Sequence, residues 1–349
     1  AERQKHLGVG PYERSQERRD YANGYKPKTM KTRIGEITFD VPQVREGDFY
    51  PQALEKGLRS ERALTLSLAE MYVQGVSTRK VAAIVEQLCG SGVSSSQVSK
   101  ATAQLDEKLN QWRNSPLGEV VYLYLDARYE KVRQDGQIRD AAVLIAVGVG
   151  PDGRRKVLGV SVSLGEQEVH WRAFMESLLK RGLRGVKLII IDDHAGLKAA
   201  RQAVFGGLPW QRCQFHLQQN AQAYIPRKEM QAEVAEDIRT IFNAPDRPTA
   251  ERYLAETVKK YEKSASRLAN WMEQNLPEGL TVFSFPSTHR RLIRTTNGVE
   301  RLNREIKRRT RVVGIFPNEA ACLRLVSAVL METSDEWETG RIYLALSGS

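Results

Sequence analysis

A chain of 349 residues that is 41% hydrophobic and 27% charged has the composition of an ordinary globular protein, too long for one typical domain and long enough for a well-buried core. No run approaches the roughly eighteen consecutive apolar residues of a membrane helix, no secretory signal opens the chain, and three scattered cysteines (Cys89, Cys213, Cys322) exclude a disulfide framework and point to a reducing, cytoplasmic compartment. The net charge of +11 calls for a polyanionic partner, and its distribution sharpens the point.

Because the chain starts at Ala1 rather than methionine, a trimmed or processed product with residues missing upstream is an expectation. Residues 1–33 carry nine Lys or Arg against four acids, among them Arg14, Arg18, Arg19, Lys28 and Arg33. The first 25 residues show no period and read as a basic arm; Met30–Ile34 and Glu36–Val41 then alternate around Gly35 as a short β hairpin. Residues 54–110 read as helical. Within them Ser77–Leu88 and Ser94–Leu105 are amphipathic helices, each opened by a serine cap and separated by a Gly90–Val93 turn. That is a helix-turn-helix pattern. Its second helix presents Ser95, Ser96, Gln97 and Lys100, and Arg79 stands on the first, side chains suited to base edges and phosphates. A plain helical hairpin has the same pattern.

From Glu119 the pattern changes to strands: Val120–Asp126, Ala141–Val149 and Lys156–Leu164, the last two joined by the Gly150–Gly153 turn. A helix over His170–Leu183, a strand over Val186–Ile191, a helix over Gly196–Phe205 and a strand near Trp210–Phe215 follow. Three strands in a meander, then alternating helices and strands, predict an α/β fold with a mixed sheet of the ribonuclease H type. Residues 217–280 have only helical period, and helices resume over Asn297–Thr310 and from Pro317 to about Glu336. The expected organisation is a basic arm and hairpin (1–53), a helical DNA-binding domain (54–115), the first part of a catalytic domain (116–216), an all-helical insertion (217–290) and the catalytic domain's C-terminal helices (291–349).

Asp126 ends one apolar strand, and Asp192 and Asp193 end another. If those strands are neighbours, the carboxylates share a rim, repel one another, and suit hard divalent cations such as Mg2+ or Mn2+. An aspartate at a strand end also caps the helix that follows, a reading that fits Asp193 best. Glu300 lies in the first turn of a helix whose stripe is Val299, Leu302 and Ile306. Residues 290–311 hold nine Lys or Arg against Glu300 and Glu305, so either acid also serves as an ion-pair partner. Spacing alone does not choose between them. Cys213 and His216 have half of a zinc-site spacing without a second pair of ligands, so no structural zinc is expected. His194 is placed to support the carboxylates or to cap a helix. Trp210 and Trp271 are candidates for stacking on an unpaired base, although core packing is the commoner fate of tryptophan.

These residues resemble the Mutator-like transposases of bacterial insertion sequences. The resemblance rests on Leu125-Asp126-Ala127, on Asp192-Asp193-His194-Ala195-Gly196-Leu197, on Cys213-Gln214-Phe215-His216, and on Arg294–Asn318, and it covers about residues 20–330. It implies a ribonuclease H-like domain whose DDE triad carries over as Asp126, Asp192 and Glu300, holding Mg2+ or Mn2+, two ions in all, with Cys213 and His216 as a signature pair. It also implies strand cleavage and joining at the ends of a mobile element by a homodimer bound to terminal inverted repeats. Asp193 departs from the family's usual small residue before the histidine; of the two aspartates, Asp192 is the expected ligand. The DNA-contacting set is then Arg18, Arg19, Lys28, Arg79, Ser95, Ser96, Gln97 and Lys100, with Arg294, Asn297, Arg301, Arg304, Lys307, Arg308 and Arg311. Competing readings are a metal-dependent nuclease or integrase that cuts without transposing, and a domesticated DNA-binding regulator.

Overall fold

The computed structural model describes residues 2–13, 15–32, 35–52, 54, 62–76, 78–89, 92–103 and 105–346. The expected serine cap at Ser77, the Gly90 end of the turn, the basic residues Arg14 and Arg33, Ile34 of the hairpin, the helical reading of 55–61 and the side chain of Cys89 lie outside the described residues. The chain divides into two units, one running to Asp106 and the other from Glu107.

In the first unit a short helix, α1 (Glu2–Leu7), precedes a two-stranded antiparallel ribbon of β1 (Ala22–Thr32) and β2 (Gly35–Val44). The ribbon begins earlier than the apolar alternation foretold, because Ala22–Pro27 is exposed throughout and carries no periodic signal. Three helices follow: α2 (Arg62–Val73), α3 (Thr78–Cys89) and α4 (Ser95–Ala103). They close over Leu64, Leu68, Val81, Val85, Val93, Val98 and Ala101, all buried. Ser94 opens α4 with a reciprocal cap. Its Oγ accepts from the Gln97 amide at 3.2 Å, and Gln97 Oε1 accepts from the Ser94 amide at 2.8 Å, satisfying two donors that the helix start leaves unpaired.

The second unit takes in α5 (Asp106–Arg113) from its second residue and is built on a five-stranded sheet. Its strands are β3 (Tyr122–Gln134), β4 (Gln137–Val149), β5 (Arg155–Ser163), β6 (Leu188–Ile191) and β7 (Trp210–Arg212), in the order β5-β4-β3-β6-β7. β3, β4 and β5 form an antiparallel meander; β6 and β7 join in parallel beside β3. The first two strands run well past their apolar stretches to an Asp135-Gly136 turn with both residues at positive φ, the geometry that twists a two-residue hairpin correctly.

Helices cover both faces, which is why these strands read as continuous apolar runs. On one side α6 (Glu168–Lys180) and α7 (Ala195–Phe205) bury Trp171, Phe174, Met175, Leu178 and Leu197 against Leu123, Leu125, Leu144, Ile189 and Ile191. After β7 come α8 (Gln214–Ala221), α9 (Gln231–Phe242), α10 (Arg247–Tyr261), α11 (Ser266–Asn275) and α12 (Ser287–Ile293). Then α13 (Asn297–Thr310) and α14 (Glu319–Thr339) return to the sheet and pack on β3 and β5. Gly153 anchors the chain end: the amides of Tyr343 and Leu344 donate to its carbonyl at 3.0 Å, and a side chain there would collide with Leu344. No helix among the described residues is long and apolar enough to cross a membrane.

Candidate active site at the parallel strand ends

The parallel register of β3 and β6 pairs Tyr124 with Ile190, so two residues further on Asp126 is level with Asp192. The register of β6 and β7 pairs Ile191 with Arg212, which puts Cys213 level with Asp192. Asp126, Asp192 and Cys213 thus form a row across three strands about 4.8 Å apart. Asp126 does not end its strand, as its apolar run had suggested; it sits within β3, which continues through polar residues to Gln134.

Helix α13 closes the row from above. Asn303 Nδ2 donates to Asp126 Oδ2 at 2.8 Å, and the Ala127 amide donates to Asp126 Oδ1 at 2.9 Å. One turn before Asn303, Glu300 Oε1 lies 3.8 Å from His216 Nε2. Asp126 is only 9% exposed, and burial pushes its carboxyl up to about 7; the Asp192 and Glu300 charges add to the rise, while the Ala127 amide and His216 oppose it. The three acids named from sequence are therefore within electrostatic reach of one another. Among the described residues no three His, Cys, Asp or Glu side chains converge closely enough to hold a metal ion as they stand.

Cys213 and His216 fall at a strand-to-helix junction. The sequence reading had continued the strand to Phe215, but α8 begins at Gln214. This brings His216 back towards Cys213. Burial raises the Cys213 thiol, but hydrogen bonds from His216 and from the amide and hydroxyl of Thr296, both at 3.4 Å, outweigh it and hold the thiol below its usual range. The Cys213 hydrogen bond lifts His216 to about 9 against the effect of its burial, with the Cys213, Asp192 and Asp126 charges adding to the rise. At neutral pH His216 is a cation beside Glu300.

Asp193 points elsewhere. It pairs with Arg212, whose side chain is 0% exposed and which also meets Glu278 at 3.0 Å and Asn275 at 3.0 Å; Lys198 bridges Asp193 and Glu278 at 3.1 and 2.9 Å. The residue that caps α7 is His194, through its backbone, without a side-chain bond. The His194 amide donates to Asp192 Oδ1 at 2.8 Å, and His194 Nδ1 lies 3.6 Å from Glu166 Oε2.

The remaining candidates divide by surroundings. Arg301, Arg304, Lys307 and Arg311 are exposed on α13 and its end, Asn297 is exposed at its start, and Arg308 is exposed but paired with Glu305. Arg309 is buried between Glu305 and Glu332, and Arg294 bonds Asn243 at 2.8 Å. In the first unit Arg79, Ser95, Ser96, Gln97 and Lys100 are exposed, with Gln97 committed to the cap. Arg18 covers the Tyr21 ring, Arg19 is exposed, and Lys28 lies over Tyr50, bonding its hydroxyl at 2.5 Å. Trp271 is 8% exposed beneath a stacked Tyr224, and Trp210 is flanked by Lys198 and Arg201. Asn303, Thr296 and Arg212 were missed from sequence. Their roles come from contacts with residues far away in the chain, and only the position of Asn303 on the face adjoining Glu300 gave a hint.

Comparison with known proteins completes the picture. The family model described as Transposase, Mutator family, matches residues 1–340. The transposase for insertion sequence element IS406 of Burkholderia multivorans is 61% identical over 98% of this chain and 89% of its own length. That for ISRM5 of Rhizobium meliloti is 44% identical over 99% and 86%, and that for IS256 in transposon Tn4001 of Staphylococcus aureus is 39% identical over 96% and 87%. A solved Mos1 strand transfer complex aligns with 66% of this chain and 82% of its own at 13% identity, with a TM-score of 0.18 that carries no argument. On the family match and on relatives that span nearly its whole length, the chain belongs to the Mutator family of transposases.

Proposed function

We propose that this transposase cuts and joins DNA strands with Asp126, Asp192 and Glu300 as a DDE triad on a ribonuclease H-like sheet. The observation that carries the reading is the row of Asp126 and Asp192 on adjacent parallel strands with Glu300 above it. Asp126, Asp192 and Glu300 supply the hard carboxylate oxygens that Mg2+ or Mn2+ takes, and burial with neighbouring acids makes the Asp126 charge costly; a bound ion would draw them closer than they stand. When bound, Mg2+ or Mn2+ supplies activation of the attacking oxygen and neutralisation of the leaving one.

The protein's own residues do the rest. Asn303 fixes Asp126 by donating to one oxygen and leaves Glu300 one turn away on the same helix. The His216 cation, held by Cys213, draws Glu300 towards the strand ends. Exposed Arg301, Arg304, Lys307 and Arg311 hold the phosphate backbone, and α4 reads the inverted repeat through Ser95, Ser96 and Lys100 as the second helix of a helix-turn-helix. The acting species is a homodimer on paired element ends, because cutting two ends needs two such sites.

The test is strand cleavage and joining on a labelled duplex carrying the element end, with Mg2+ or Mn2+, comparing the protein with Glu300→Gln and Asp192→Asn. Both variants are expected to bind the duplex and neither to nick nor join it. Binding without cleavage by the unaltered protein under every metal condition would favour a DNA-binding regulator instead.

A further inference from the structure

Resting on the DNA-cleaving reading just given, we infer that Phe215 is a base-stacking residue, holding an unpaired nucleobase beside the scissile phosphate. Phe215 stands in the first turn of α8 and is 47% exposed, although its neighbours Cys213, Gln214 and Leu217 are buried. One exposed apolar ring is ordinary by itself; what singles out Phe215 is its place in a packed turn beside the candidate site.

The position of the ring says which partner. Its centroid is 5.6 Å from the His216 imidazole, with the planes at 66°, and His216 is the residue that reaches Glu300. The ring thus adjoins the residue that meets Glu300, and a nucleotide next to a phosphate held at the carboxylates comes within its reach. The Gln214 amide donates to the Arg294 carbonyl at 3.0 Å, so the ring emerges beside the segment 290–311 with its nine Lys and Arg, surroundings that suit a polyanion. A base paired in a duplex hides its faces against its neighbours; the base that meets Phe215 is one freed at a nick or strand end.

Other aromatic side chains do not fit this role. Trp271 is buried under Tyr224, and Trp210 has Lys198 and Arg201 over its ring. Tyr129 is exposed, but strand alternation turns it to the face opposite Asp126 and Arg128, towards Glu166.

The experiment uses the full chain and two duplexes, one fully paired and one nicked with an unpaired fluorescent adenine analogue at the nick. The protein, Phe215→Ala and Phe215→Trp are expected to melt alike, since the ring is exposed, and to bind the paired duplex equally. On the nicked probe Phe215→Ala is expected to lose about tenfold in affinity together with the emission change, and Phe215→Trp to retain both. Equal affinity and equal emission change for Phe215→Ala overturn the assignment while leaving the transposase reading intact. If the unaltered protein binds neither duplex, the DNA-cleaving reading fails and takes this one with it.

Discussion

At the scale of single residues, the burial of Asp126 has a measurable cost. Its folded value of about 7 lies above the ordinary carboxylate value, so its contribution is fully present below about pH 4 and is lost as pH rises through 7. In chelating buffer Asp126→Asn is therefore expected to stabilise the fold at pH 8, by on the order of 4 kcal/mol at most and read as a higher melting temperature, and to change little near pH 4. Equal effects at both pH values would show that the charge is not the cause. The two neighbouring aspartates separate in the same assay: Asp193→Asn weakens the buried Arg212 cluster and should cost about 1–3 kcal/mol, whereas Asp192→Asn should abolish cleavage without that loss. Acids at strand ends are visible in sequence because an apolar run that stops at a carboxylate is a local pattern. Asn303 and Arg212 are not, since nothing near them in the chain announces the Asp126 or Glu278 side chain that each one meets.

At the scale of elements, the helices and apolar strands were legible wherever burial on one or both faces left a period. Asn297–Thr310 coincides with α13 because Val299, Leu302 and Ile306 make an uninterrupted stripe. The extension of β3 and β4 to Asp135-Gly136 was not legible, since the half-buried face of β3 there is mostly polar (Arg128, Glu130, Gln134, with Val132 alone apolar) and the first four residues of β4 are exposed, and Cys213–Phe215 was read as strand because a three-residue β7 gives too short a signal to mark its end. Within α13, Glu305 is held down to about 2 by hydrogen bonds from Arg308 and Arg309, although its partial burial works against this. A depressed carboxylate contributes stability above its unfolded value and loses it as pH falls from about 4.5 towards 2. Glu305→Gln should thus cost about 1 kcal/mol at neutral pH, discounted for exposure, and nothing near pH 2. A melting difference that stays constant across that window would contradict it.

For the whole molecule, charge decides the partner. Two basic segments on an otherwise balanced chain imply that many phosphates are neutralised on binding, so affinity for duplex DNA should fall steeply and log-linearly with salt. Lys100→Ala should lower the salt slope by about one if that side chain meets a phosphate; an unchanged slope would place it on a base edge or off the DNA. The mixed sheet was foreseeable from the order of its strands. The way α13 and α14 return to it after the helical segment was not, because sequence proximity says nothing about which surface a late helix will cover.

That return also governs timing. Asn303 bonds Asp126 across 177 positions of the chain, and a ribosome adding roughly 5–20 residues per second needs roughly ten to thirty-five seconds to make that stretch. During translation the sheet strands and α4 emerge well before the helix that carries Glu300. On the proposed reading, a nascent chain has its helix-turn-helix and both aspartates before it acquires Glu300, so binding can precede the capacity to cut.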